Sequence, residues 1–120
     1  MIYSAQHGFI NHPDHRAAGH ATLDAVYPFA RDHLTFTELL DEGLEPHKVA
    51  TVLLVNFDKH NFAMNISKSL DKKLAAITLH TSQVKDKHAL NQKLTTVAKN
   101  YGQQYGYDYA EAFMRLDIDP

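Results

Sequence analysis

The sequence predicts an α/β fold with few strands. Residues 49–55 (VATVLLV) form a continuous β-prone apolar run, as a strand covered on both faces does. Phe62, Met64 and Ile66 alternate with smaller or polar residues, which is the period of a half-buried strand. Around these runs, apolar residues recur every three or four positions over 13–30, 70–77 and 90–101, the period of helices. Strands interleaved with helices argue for an α/β architecture. Only two or three strands can be counted, an incomplete sheet for a doubly wound fold.

Each element has its local reason. Gly8-Phe9-Ile10 reads as the end of a strand feeding a turn. A helix follows from Pro13, since a proline at the first helical position loses no hydrogen bond. Its apolar stripe is Ala18, Ala21, Ala25, Val26 and Phe29, and Pro28 disturbs its last turn. Residues 35–42 make a short helix, capped by Thr35 or Thr37 and stopped by Gly43. Asn56 to Asn61 is a polar turn. Ser67 is the expected N-cap of the next helix, with Leu70, Leu74 and Ile77 on its core face and Lys68, Lys72 and Lys73 in water. The last long helix runs from about Lys87 to Tyr101, with Leu90, Leu94, Val97 and Tyr101 in register and Gly102 as C-cap. Tyr109, Ala110 and Phe113 fit one helical turn, with room for a terminal strand after it.

Composition bounds the function. The chain has 120 residues, 44% of them hydrophobic and 22% charged, the values of one ordinary globular domain. A net charge of −2 gives no basic excess to attract nucleic acid or an anionic membrane. The longest apolar run is far too short to span a bilayer. Absence of cysteine excludes disulfides and thiolate metal sites, and no signal peptide is visible. A cytoplasmic protein is expected. No Gly-rich phosphate loop and no nucleophile elbow occurs.

Chemistry concentrates in Asn11-His12-Pro13-Asp14-His15-Arg16-Ala17. Residues three apart on a helix share a face, so His12 and His15 should point the same way at a helix N-terminus. Asp14 puts negative charge in the first turn, where the helix dipole favours it. Such a place suits a metal ion or an oxyanion. By spacing alone the pair is more often a helix start with polar side chains in water. Arg16 is either a substrate contact or a solvated residue paired with a carboxylate such as Asp14. Most of the nine histidines lie outside any ligand spacing, and nothing supports His7 or His20 as ligands.

The heptapeptide resembles the second signature of the LmbE-like (PIG-L) zinc-dependent N-deacetylases. Residues 20–30 (HATLDAVYPFA), 35–49 (TFTELLDEGLEPHKV), 80–83 (HTSQ) and 109–113 (YAEAF) are similar to stretches of bacterial members. The resemblance spans nearly all of this chain and only the C-terminal half of the family domain. It implies the C-terminal part of a Rossmann-like, three-layer LmbE-like fold over residues 1–120. It implies removal of acetyl from N-acetylglucosaminyl-type conjugates, with zinc as cofactor. By the same resemblance, His15 is a zinc ligand. His12 is a catalytic general acid or oxyanion stabiliser, and Asp14 orients or charges a histidine. His80 recurs in the family, although a helix C-terminus explains it more simply.

The family's earlier motif, His-Pro-Asp-Asp, does not occur in this sequence. It would supply two further zinc ligands and the general base. A catalytic zinc usually takes three protein ligands, so the chain is expected to bind zinc weakly and to be inactive alone. Three origins are open: a truncation, one half of a split enzyme with an N-terminal partner, or a misplaced start. The family also implies a possible homo-oligomer. The alternative is a non-catalytic binding or oligomerisation module derived from the same fold.

Overall fold

A computed structural model describes residues 12–55 and 59–118. The elements in order are α1 (Pro13–Val26), a 3-10 turn (Phe29–Arg31), α2 (Thr37–Asp41), β1 (Thr51–Leu54), β2 (Phe62–Asn65), α3 (Leu70–Thr78), α4 (Lys87–Tyr105) and β3 (Ala110–Asp117). The strand order is β1-β3-β2. The chain divides into two compact units, residues through 60 with 113 onward, and Asn61–Ala112. The expected α/β character holds. The strand expected at residues 8–10 and residues 56–58 of the turn expected at 56–61 lie outside the described residues.

In the first unit, β1 pairs antiparallel with β3, Thr51 opposite Asp117 and Leu54 opposite Met114. Val52 and Leu54 are buried and pack against Leu23, Val26, Val49, Met114 and Ile118. Burial of each such side chain stabilises by about 1.5–3 kcal/mol. The expected packing of the first helix on this strand is therefore present, but through a different stripe. Ala18, Ala21 and Ala25 are exposed, whereas Gly19 is buried and Leu23 and Val26 are half-buried. Gly19, Leu23 and Val26 are four and three apart, so they share one face.

Two expectations about β1 are corrected. It is shorter than 49–55, and it is not central: β3 is the middle strand, and β1 has one strand neighbour among the described residues. Its apolar run asks for cover on both faces, yet one face is left poorly covered, as expected where the sheet is incomplete. Its burial alternates, with Thr51 and Leu53 exposed. The outer face is polar instead: Thr51 Oγ1 donates to Asp117 Oδ1 at 3.0 Å, and Arg115 Nε donates to the same oxygen at 2.9 Å.

The first helix also stops earlier than expected. α1 ends at Val26, and the Tyr27–Pro28 bond is cis. Phe29 belongs to the separate 3-10 turn. α2 is capped by neither threonine. Phe36 occupies the N-cap with φ 57° and no side-chain cap bond, while Thr35 Oγ1 turns to Asp32 Oδ2 at 2.6 Å. Gly43, at φ 80°, stops the helix as expected.

In the second unit, Ile66, Leu70 and Ala98 form the core with Leu74 and Tyr109 against it. Leu70 and Leu74 thus face inward as the spacing predicts. Ser67 is not the cap. The helix begins three residues later with Ser69 at the N-cap, and Ser67 Oγ accepts from Tyr109 N at 3.2 Å. Lys73 is not simply solvated, because its ammonium pairs with Glu111. On α4, Asp86 Oδ1 accepts from Ala89 N at 2.9 Å, a side-chain N-cap. Val97 is exposed, and Ala98 takes the buried position instead.

Gly102 lies inside α4, not at its end. Gly106, at φ 77°, is the cap. A Cβ on Gly102 would lie 2.5 Å from Tyr107 O and 2.7 Å from Asp108 O, so the glycine permits the chain to fold back over the helix. That return leads into β3. Residues 110–113 are therefore strand, not the expected helical turn. Aromatic side chains suit a pleated, half-buried surface, and Ala110 is fully buried there.

Candidate active site

The histidine pair is built by the start of α1. His12 is the N-cap, with φ −55° and ψ 136°. Its carbonyl accepts from His15 N at 3.0 Å and from Arg16 N at 3.3 Å. Pro13 follows, where no amide proton is needed. This hydrogen bonding places His15 three residues on, in the same first turn. The two imidazoles lie with centroids 5.9 Å apart and planes tilted by 50°. Both side chains are exposed.

His12 Nδ1 accepts from Asp14 N at 3.2 Å. An acceptor nitrogen carries no proton, so the neutral ring holds its proton on Nε2. The same Nδ1 is 3.6 Å from Asp14 Oδ2. One nitrogen cannot accept from the amide and donate to the carboxylate at once. The shorter contact is the hydrogen bond, so the Asp14 amide favours the tautomer protonated on Nε2, and the Asp14 carboxylate lies beside the ring. Its partner is His12, not Arg16.

Asn11 and His7 lie outside the described residues. His20 is on α1, turned roughly 140° from His15 at 3.6 residues per turn. His80 follows the end of α3 in the second unit, where its amide donates to Ile77 O at 3.1 Å. Glu111 pairs with Lys73.

A catalytic zinc takes nitrogen and oxygen donors, three of them from protein. His12, His15 and Asp14 are donors of that chemistry, but the described residues hold no group of three His, Asp or Glu arranged to bind a metal. They do not fit a catalytic zinc on their own.

A second feature was not expected from the sequence. A concavity of about 210 Å³ opens near the other end of α1, lined by Ala25, Phe29, Phe36, Leu40 and Leu44 with Asp32 and Glu45 among them. Asp32 is held below the usual carboxylate range, first by the Thr35 hydroxyl and then by the Leu34 amide. The available signal was compositional: residues 32–45 carry Asp32, Glu38, Asp41, Glu42 and Glu45 and no lysine or arginine.

No family model matches the chain. It is 33% identical over 102 residues to diacetylchitobiose deacetylase from Thermococcus kodakarensis, covering 83% of this chain and 38% of that protein. The structure resembles N,N'-diacetylchitobiose deacetylase from Pyrococcus horikoshii, solved with its inhibitor MPG. The TM-score is 0.74 at 30% identity, covering 92% of this chain and 42% of that chain. The chain is similar to part of these two deacetylases and spans about two fifths of the length of the proteins it matches. Among its described residues no helix is long and apolar enough to cross a membrane.

Proposed function

We propose that this chain supplies one side of an amide-hydrolysing site for N-acetylglucosaminyl-type conjugates and is inactive alone. The observation that carries the reading is the His12–His15 pair on the first turn of α1, in a chain similar to part of two diacetylchitobiose deacetylases. In the reaction, water adds to the acetamide carbonyl, the C–N bond breaks, the amine takes a proton and acetate leaves. Zinc, when bound, would activate that water.

His15 presents an imidazole as one metal ligand. His12, with its proton on Nε2, is a hydrogen-bond donor suited to the oxyanion of the tetrahedral intermediate. Asp14 orients His12 through its amide. The remaining ligands and the general base come from outside the described residues, from an N-terminal half-protein carrying His-Pro-Asp-Asp or from a second copy. A second reading is a binding or oligomerisation module without turnover, favoured by the lack of a three-ligand group among the described residues.

The test is zinc titration with acetate release from an N-acetylglucosaminyl substrate. The lone chain should release none and hold zinc weakly. Adding a polypeptide that carries His-Pro-Asp-Asp should restore both, and His15→Ala should abolish the gain. Turnover by the lone chain that disappears with His15→Ala would overturn the reading of inactivity. No gain with any supplement would favour the module.

A further inference from the structure

We propose that the acidic, apolar hollow formed by the end of α1 and residues 32–46 docks a basic amphipathic segment of a partner polypeptide. The hollow lies within the first unit. Ala25 lines it ten residues beyond His15 along α1, about 15 Å at the helical rise, so it is separate from the histidine pair. The docking idea does not depend on the chain being a deacetylase component.

The shape argues for a peptide anchor. About 210 Å³ is the scale of one large apolar side chain, well below the volume of pockets that enclose drug-sized ligands. Phe29 and Phe36 meet edge to face across 6.1 Å and form an aromatic wall. Leu39 and Leu44 of the lining are exposed, and Leu34, outside the lining, is 86% exposed. A small molecule in the hollow would leave Leu34 uncovered, whereas an amphipathic segment covers a stripe. Phe36 holds φ 57°, an unusual conformation for a bulky residue, which presents the ring at the surface instead of in a core.

The charge argues for a basic partner. Asp32 and Glu45 are in the lining, and Glu38, Asp41 and Glu42 are exposed on and just after α2. Thr35 and Leu34 donate to Asp32 and hold its carboxyl below the ordinary value. Arg31, next to Asp32 in the chain, lies over the Tyr27 ring at 5.4 Å from its centroid. An acidic rim around an apolar floor complements an apolar side chain flanked by lysine or arginine and repels an acidic segment.

The experiment uses the full chain and a short fluorescein-labelled leucine–lysine amphipathic peptide, followed by anisotropy. Binding is expected, at least about tenfold tighter than for a leucine–glutamate peptide of equal length, and weaker as salt rises. The double variant Glu42→Lys/Glu45→Lys should weaken it by about tenfold, and Leu44→Ser should also weaken it. Asp71→Lys/Asp108→Lys changes net charge equally in the second unit and should leave affinity within about twofold. Circular dichroism checks that each variant is folded. Equal binding of the acidic peptide, equal loss with the second-unit double variant, or no binding would overturn the proposal. So would sedimentation showing self-association that Glu42→Lys/Glu45→Lys abolishes, since a second copy would then cover the hollow.

Discussion

Thr51 and Asp117 face each other across the β1–β3 pair, and the threonine hydroxyl donates to the aspartate at 3.0 Å. Arg115 donates to the same oxygen from two residues away. These two bonds, Arg115 first, hold the Asp117 carboxyl below its ordinary value of 3.8. A depressed folded-state pKa contributes stability that is present above the unfolded value and lost as pH falls through the folded one. Asp32 is lowered in the same sense by Thr35 and Leu34. Urea midpoints should therefore owe a constant contribution to these two groups from neutral pH down to about 3.8 and lose it below. Asp117→Asn should remove part of that acid-side loss. An unchanged profile would mean that the β1–β3 bonds do not persist in solution.

Gly102→Ala should destabilise the chain. Alanine gains about 1 kcal/mol of helix propensity over glycine, but its Cβ would meet two backbone carbonyl oxygens at 2.5 and 2.7 Å. Backbone yields less readily than a flexible side chain, and overpacking of this kind costs typically about 1–3 kcal/mol. The net loss expected from urea denaturation is about 1 kcal/mol. A stabilised variant would show that the turn at 106–108 moves away at little cost.

Lys73 and Glu111 join α3 to β3 within the second unit, each about a third exposed. A partly exposed pair should give a coupling of about 0.5–1 kcal/mol in a double-mutant cycle of Lys73→Ala and Glu111→Ala. The coupling should shrink in high salt. Zero coupling at low salt would reduce the pair to a surface contact.

Much of the local structure is legible in the residues alone. Pro13 after His12 sets the start of α1, because a proline has no amide to satisfy and its φ suits the first turn. That start, with the three-residue spacing, was enough to bring His12 and His15 together. The Leu70–Leu74 stripe was legible for a similar reason: its partners lie one turn away on the same helix. These features depend on neighbours in sequence, so sequence carries them.

What only tertiary structure decided depends on distant partners. Residues 49–55 look like a buried central strand, yet among the described residues β1 sits beside only β3 and buries one face. Its apolar content does not reveal which strand lies next to it. Gly102 looks like a cap until Tyr107 and Asp108 are seen folding back upon it. Residues 109–113 have helical spacing, but 110–113 become strand, because Ala110 must fit a fully buried site and Ser67 binds Tyr109 N across 42 residues. Periodicity records which side chains share a face. It does not record what that face meets, and packing free energy outweighs local propensity where the two disagree.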